Sequence, residues 1–457
     1  MSEFGGLNVA LSALMSQRRG LEVTGNNVAN ANTEGYSRQR VNLAAVGGPI
    51  TGTFFSRPNG VGNGVNVQSV TRFRDAFLEI SGALERGASG QLKQSSSVLG
   101  QIEALFAEPS DQSIAKNFND FWAGWDDVAN HPSDAASRDQ LLQRGATLAA
   151  SLNHASDQLG EFRSEAISQL TSLTTDVNTM ASNIASLNSA IRSATTNGAD
   201  ASSLQDQRDL LVQQLSEKVG GTVRYGDNNM ANIYVGGTAL VDGDTTNALQ
   251  VDTSGSSVAL RWTVNGTAAT VPSGNLGGLL GVINTTLPSY SSGLDAVAVQ
   301  LRNTVNSIHQ AGAGLDGATG RKFFDGTGAA DLAISADIGT NTDHIAAGAT
   351  GSGTLDGSVA QNLADLATSS TGPDASYHSY IVNLGVESQS AQRRSQIQDA
   401  TVAQIDNERD ANSSVSTDEE MVSLVQYQHA YEAASRYLTT VDQVLDQLIN
   451  RTGTVGR

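Results

Sequence analysis

Six histidines are the residues of this chain best suited to acid–base or metal chemistry: His131, His154, His309, His344, His378 and His429. No pair of them frames a His-Glu-x-x-His run, the helical spacing that sets two imidazoles and a general base around zinc. The 457 residues include no cysteine. That removes disulfides, thiolate nucleophiles, iron–sulfur clusters and Cys-based zinc sites together. No Gly-x-Ser-x-Gly elbow offers a serine nucleophile. No Gly-x-x-x-x-Gly-Lys-Ser/Thr loop offers a phosphate cradle. Gly60-Val61-Gly62-Asn63-Gly64 is glycine-rich, but no strand leads into it and no helix leaves it, so it reads as a turn. Asp316-Gly317 and Asp325-Gly326 lack the oxygen-ligand spacing of a calcium loop and also read as turns. Trp122 and Trp125 stand at helical spacing and read as core. The abundant carboxylates single out no acid/base couple. The sequence therefore predicts no catalytic residue, no cofactor and no metal.

The elements explain why so little chemistry is on offer. Lys plus Arg is 27 against 46 for Asp plus Glu, a formal charge of −19. That sign repels phosphate and anionic lipid, so neither nucleic acid nor a membrane surface is an expected partner. No stretch reaches the apolar length of a membrane span, and the N-terminus lacks the pattern of a cleavable signal peptide. The length predicts two or three domains. Only 7 prolines and 5% aromatic residues predict long helices with an aromatic-poor core.

Leu7, Leu14, Leu21 and Val28 recur every seven residues, with Leu11 one turn after Leu7. This is one face of a helix with coiled-coil-like spacing. Asn26, Asn27, Asn30, Asn32 and Gly35 are read as ending it. Loops and short strands follow to about residue 74, with Val65, Val67 and Val70 on an alternating stretch. Helix is predicted over 76–105, interrupted at Gly82, Gly87 and Gly90. Pro109 punctuates, and further helices are predicted over 113–128, 133–193 and 204–218. From Val219 the period becomes two, and strands are predicted at 222–225, 233–235 and 258–264. Helix returns over 276–310, loops and strands fill 312–354, and helix resumes from Ser358 with a break near Thr368 to Pro373.

The last helix is the best defined. Ser416 and Thr417 precede Glu419 and Glu420 in a capping-box pattern. Leu424, Tyr431, Leu438 and Leu445 recur every seven, as do Tyr427, Ala434, Val441 and Leu448. The pattern stops at Arg451 and Gly453. Burying a leucine contributes about 1.5–3 kcal/mol, whereas fixing one residue's backbone costs about 1–2 kcal/mol. A few leucines cannot order a helix of that length alone, so each end needs the other end or a neighbouring subunit.

Two motifs sharpen this. Asn8-Val9-Ala10-Leu11-Ser12-Ala13-Leu14, followed by Asn26-Asn27-Val28-Ala29-Asn30-Ala31-Asn32-Thr33-Glu34-Gly35-Tyr36-Ser37-Arg38-Gln39, resembles the N-terminal signature of the flagellar rod, hook and hook-associated proteins. Asp418-Glu419-Glu420-Met421 with Tyr427-Gln428-x-Ala430-Tyr431-x-Ala433 is similar to that family's C-terminus. The Tyr-Ser-Arg-Gln ending points to the hook-associated branch at the hook–filament junction. Glu34 stands where the family usually has Pro, and Ala13 where it usually has Gly.

The resemblance implies a structural role and a mainly α fold. A long-helix bundle core would carry paired N- and C-terminal coiled-coil-like helices and small inserted β regions. Residues 1–44 with 415–457 would form terminal assembly helices lining an inner tube. Residues 45–218, 275–311 and 358–414 would form the helical core, with a β/loop segment near 45–74. A small β insertion at 219–274 and a loop/β insertion at 312–357 complete the layout. The assembly interface would be Leu7, Leu11, Leu14, Leu21, Val28, Asn30, Asn32, Gly35, Tyr36, Leu424, Tyr427, Tyr431, Leu438, Val441, Leu445 and Leu448. Implied partners are further copies of the chain, the hook protein, a second hook-associated junction protein, and a cytoplasmic export chaperone on the C-terminal helix. Export by the flagellar type III pathway would place the protein outside the cell, on the flagellum, after a transient cytoplasmic stage. Rival readings are another axial subunit, such as a hook or distal rod protein, an axial protein carrying a hydrolytic insertion, and an exported helical adhesin.

Overall fold

The N-terminal heptad row folds into α1 (Glu3–Ala29), which runs through Asn26 and Asn27 instead of ending at them. An antiparallel hairpin follows, β1 (Gln39–Ala45) with β2 (Val65–Arg72). Its register shifts between Asn42 and Leu43, which pair with Ser69 and Val67, so Gln68 is an extra residue. That bulge moves the alternation of Val65 and Val67 out of phase with Val70. Then come α2 (Ala76–Phe106), α3 (Ile114–Asn130), α4 (Ala135–Thr196) and α5 (Ser202–Val219). The computed structural model describes residues 3–47, 62–106, 108, 110 and 113–450. The Gly60-Val61 part of the glycine-rich turn, Pro109, and the stop at Arg451 and Gly453 lie outside them.

The expected breaks in α2 are absent, because its glycines are contact points. A Cβ on Gly90 would stand 2.2 Å from the Glu217 carbonyl oxygen, and one on Gly87 3.0 Å from Gly220 Cα. The helix can carry glycine here because the missing side chains let α5 close onto it.

The β insertion is an antiparallel sheet of β3 (Thr222–Tyr225), β4 (Ala231–Val235), β5 (Thr238–Asp242) and β6 (Thr245–Thr246), beside the pair β7 (Leu249–Asp252) and β8 (Ala259–Trp262). Next come α6 (Gly274–Gly281), one π turn at Val282–Thr286, and α7 (Leu287–His309). The 312–357 stretch holds only two-residue strands, β9 (Gly312–Ala313), β10 (Phe324–Asp325), β11 (Ala333–Ile334) and, after the short α8 (Ala336–Gly339), β12 (Gly348–Ala349). The chain closes with α9 (Ser358–Ala364), α10 (Pro373–Ser413) and α11 (Thr417–Asn450). Helix makes up 67% of the structure, so the fold is mainly α with small inserted β regions.

The 62-residue α4 is the spine. Its first half joins one hydrophobic cluster with α3, α7, Phe323, Phe324, α9 and the start of α10. Its second half joins another with α5, α6 and the β insertion. Trp122 and Trp125 are core residues of the first cluster. Asn178 and Asn188 on α4 grip Leu249 and Ala231 by both main-chain N–H and C=O, so the sheets are tied to the spine by hydrogen bonds as well as by apolar packing.

Candidate assembly interface

The two ends of the chain meet as an antiparallel helix pair. A Cβ on Gly6 would lie 3.2 Å from the Tyr437 hydroxyl, one on Gly20 would lie 2.5 Å from the Tyr427 ring, and Asn27 bonds Glu420. α1 makes this contact through small residues. Its buried positions are Ala10, Ser16, Gly20, Val23, Thr24 and Asn27. On its hairpin side, the Val65 N–H donates to Ser12 Oγ at 3.3 Å and Ser16 Oγ donates to the Val65 carbonyl at 3.4 Å.

The predicted stripe of α1 therefore sits beside the packed face, whereas on α11 Tyr427 and Val441 of the predicted rows face the glycines of α1. Leu7, Leu14, Leu21 and Val28 are half-buried, and Leu11 is 49% exposed. On α11, Leu424, Tyr427, Leu438, Val441 and Leu445 are half-buried, whereas Tyr431 and Leu448 are exposed. Glu420 is the one described α11 residue that is fully buried. Met421, Val422, Val425, Val444 and Ile449 add exposed apolar side chains. A helix pair with so little fully buried apolar surface falls short of the backbone entropy of ordering it.

A buried polar clamp fixes the pair at its closed end. The Asn27 amide donates to the Gln39 carbonyl at 2.9 Å and to Glu420 Oε2 at 3.0 Å. Its oxygen accepts from Gln39 N–H at 3.0 Å and from the Tyr36 hydroxyl at 2.8 Å. Both donors and both lone pairs of the amide are used. Burial, with the charges of Asp206 and Glu420, pushes the Tyr36 phenol above its ordinary value, so it remains a donor. Arg38 Nε donates to Glu420 at 2.7 Å and its Nη1 to Glu419 at 2.8 Å. The Glu420 side chain is only 4% exposed. Losing one partner of such a pair costs about 3–5 kcal/mol, because the other charge is left buried.

This clamp corrects the capping-box reading. Ser416 Oγ does accept from the Glu419 N–H, at 3.5 Å, but the Glu419 and Glu420 carboxylates go to Arg38. Within the chain Asn27 is the asparagine that joins the segments, and Asn30 and Asn32, expected at the assembly interface, take no part in this clamp. The Asn30 amide turns back on Asn26, and Asn32 is exposed. Gly35 takes a φ of +78° and packs on Leu210 of α5, where a Cβ would come within 3.2 Å of that side chain. Asn27, Arg38 and Glu420 were missed as site residues. The signal available was a cation in one terminal motif and three successive acids in the other.

Among the described residues no group of three or more His, Asp or Glu is placed to hold a metal ion. No described helix is long and apolar enough to cross a membrane.

Comparison with known proteins follows the same map. Residues 99–324 match the flagellar hook-associated protein FlgK helical domain. Residues 410–451 match the flagellar basal body rod FlgEFG protein C-terminal family, and residues 7–36 the flagella basal body rod protein family. Flagellar hook-associated protein 1 of Bacillus subtilis is 31% identical over 513 aligned positions that span all of both chains. Its counterpart in Escherichia coli is 28% identical over 333, covering 70% of this chain and 59% of that one. In fold, the flagellar hook junction protein FlgK from Burkholderia pseudomallei superposes with a TM-score of 0.66 at 18% identity, over 74% of this chain and all of that one. Full-length identity to the Bacillus protein, with rod-protein matches on both helices of the terminal pair, leads to one conclusion: the chain belongs to the flagellar hook-associated protein 1 family.

Proposed function

We propose that this chain is a non-catalytic structural subunit joining the flagellar hook to the filament, assembled through α1 and α11. The observation that carries this reading is the terminal helix pair itself. It is clamped shut at Asn27, Arg38 and Glu420, yet its leucine and tyrosine rows stay half in solvent. Such surface is completed by neighbours. Further copies of the chain would supply them sideways, the hook protein below, and a second hook-associated junction protein above. Residues 1–44 and 415–457 would be the inner-tube module. Residues 45–218, 275–311 and 358–414 would be the core, and 219–274 and 312–357 the insertions on its outside. Export through the flagellar type III pathway suits a chain without cysteine, because no crosslink blocks threading. A cytoplasmic chaperone covering the apolar side chains of α11 before export would prevent early association. The helix content of 67% favours this reading over a strand-dominated hook subunit. Deleting 417–457 tests it: cells should keep hooks and lose filaments. Normal filaments on the deletion strain would overturn it.

A further inference from the structure

The terminal helix pair, taken together with the β1–β2 hairpin that packs on α1, forms a module that meets the rest of the chain without a shared hydrophobic cluster. Neither cluster contains a described residue of α1, β1, β2 or α11. What crosses the joint is largely polar. The Arg38 N–H donates to the Ser413 carbonyl at 2.9 Å, and Arg19 pairs with Asp200 at 3.3 Å. The centre of the joint is ionic. Arg72, the last residue of β2, reaches α5 at Asp206 (2.8 Å) and Asp209 (3.0 Å). Arg74, between β2 and α2, pairs with Asp209 and with Glu79, the latter at 2.5 Å. Arg208 holds the other Asp209 oxygen at 2.8 Å, and the Tyr225 hydroxyl donates to it at 3.3 Å. The side chains of Asp209 and Arg208 are 3% and 0% exposed. One carboxylate thus gathers three arginines, two from the end of the hairpin and one from its own helix.

We propose that Asp209 is the positioning residue that sets the orientation of the terminal module on the core. A polar joint between domains permits relative motion by default. A buried ion cluster such as this, with both Asp209 oxygens engaged, contributes little net stability over apolar packing, but it specifies one geometry, because any other leaves charge buried and unpaired. Arg72 and Arg74 lie on the only described strand-to-helix connection between module and core, so fixing their guanidiniums on Asp209 fixes the hairpin. Burial alone would push the Asp209 carboxyl up, but Arg74, Arg208 and Arg72 outweigh it and hold it below its ordinary value. The carboxylate is therefore charged whenever the protein works. Assembly through the terminal pair requires every copy to present that pair at one angle, and Asp209 supplies it.

The absence of native cysteine makes the test direct. Spin labels on cysteines replacing the exposed Gln426 of α11, within two turns of the clamp at Glu420, and the exposed Ser168 of α4 report the module-to-core distance in the full-length soluble chain. Wild type should give a single narrow distance peak. Asp209→Asn should lose that peak to a broad distribution while the near-ultraviolet circular dichroism of Trp122 and Trp125 is unchanged. The double variant Arg72→Gln, Arg74→Gln leaves the Arg208–Asp209 pair on α5 intact, and it should broaden the peak in the same way. It decides the matter if Asp209→Asn fails to fold. A narrow, unshifted peak in either folded variant overturns the proposal. The measurement is made on monomer, so its failure is separate from any failure of the junction reading.

Discussion

His309 sits in the first hydrophobic cluster against Trp125 and Phe323, where it works as a neutral ring. Its Nε2 accepts from the Ala346 N–H at 2.9 Å and its Nδ1 donates to the Arg321 carbonyl at 2.8 Å. Burial pushes the imidazole down to about 4. In the unfolded chain it returns to about 6.5. Above pH 6.5 neither state binds the proton and the full stability is present. As pH falls toward 4 the unfolded chain binds it first, so stability drops by about 3 kcal/mol across that window. Urea midpoints at pH 7.5 and 4.5 should fall much further in wild type than in His309→Gln, and equal falls would refute the assignment. Nothing in the sequence marked this histidine out from the other five. Asn27 was misread as a helix end for a similar reason, and the other asparagines of this kind drew no notice. Asn is usually a turn residue, yet Asn27, Asn178, Asn188, Asn284 and Asn306 all sit on helical backbone and grip the N–H and C=O of extended segments. The partner is 12 to 71 residues away, beyond the reach of any local pattern.

Long helices were the most legible elements, because a sustained apolar row admits few alternatives. α4 and α5 fall within three residues of their expected limits. The glycines of α2 were not legible, since glycine's local meaning is a break and its tertiary meaning is close approach. The structure separates the two uses. Gly100 has nothing within 4 Å of a built Cβ, whereas at Gly90 the Cβ would overlap the Glu217 carbonyl. Gly100→Ala should therefore stabilise by about 0.5–1 kcal/mol through helix propensity and reduced unfolded-state entropy. Gly90→Ala should destabilise by about 1–3 kcal/mol, as overpacking at a closed contact does. Thermal unfolding of the two variants reads the opposite signs, and a shared sign would show that α2 does not close on α5 as described. The short strands β5, β6 and β7 escaped detection because two to five residues of mixed Thr, Asp and Leu carry too few alternations to count.

At the scale of the whole molecule, two stabilities coexist in one chain. The core has two hydrophobic clusters threaded by a single helix, and opening either one exposes the other's neighbour along α4. That division could not be seen in the sequence, where the α4 row looks uniform from end to end. The terminal pair was visible as helices that need company, and its clamp was not, because Asn27 and Glu420 are 393 positions apart. The pair has no comparable core. Its apolar rows are half-buried at best and α11 buries only Glu420 completely among its described residues. One hydrogen-bonded clamp at one end cannot hold a helix of 34 residues along its length, so in dilute monomer the far end should open often. Limited proteolysis should then cut within α1 and α11 first, leaving a resistant core that begins beyond about residue 45 and ends before about 415. In the assembled structure the same bonds should resist, because neighbours complete the leucine and tyrosine rows. Equal resistance of both ends in dilute monomer would mean the pair is stable on its own, and the half-exposed rows would then need another explanation than subunit contact.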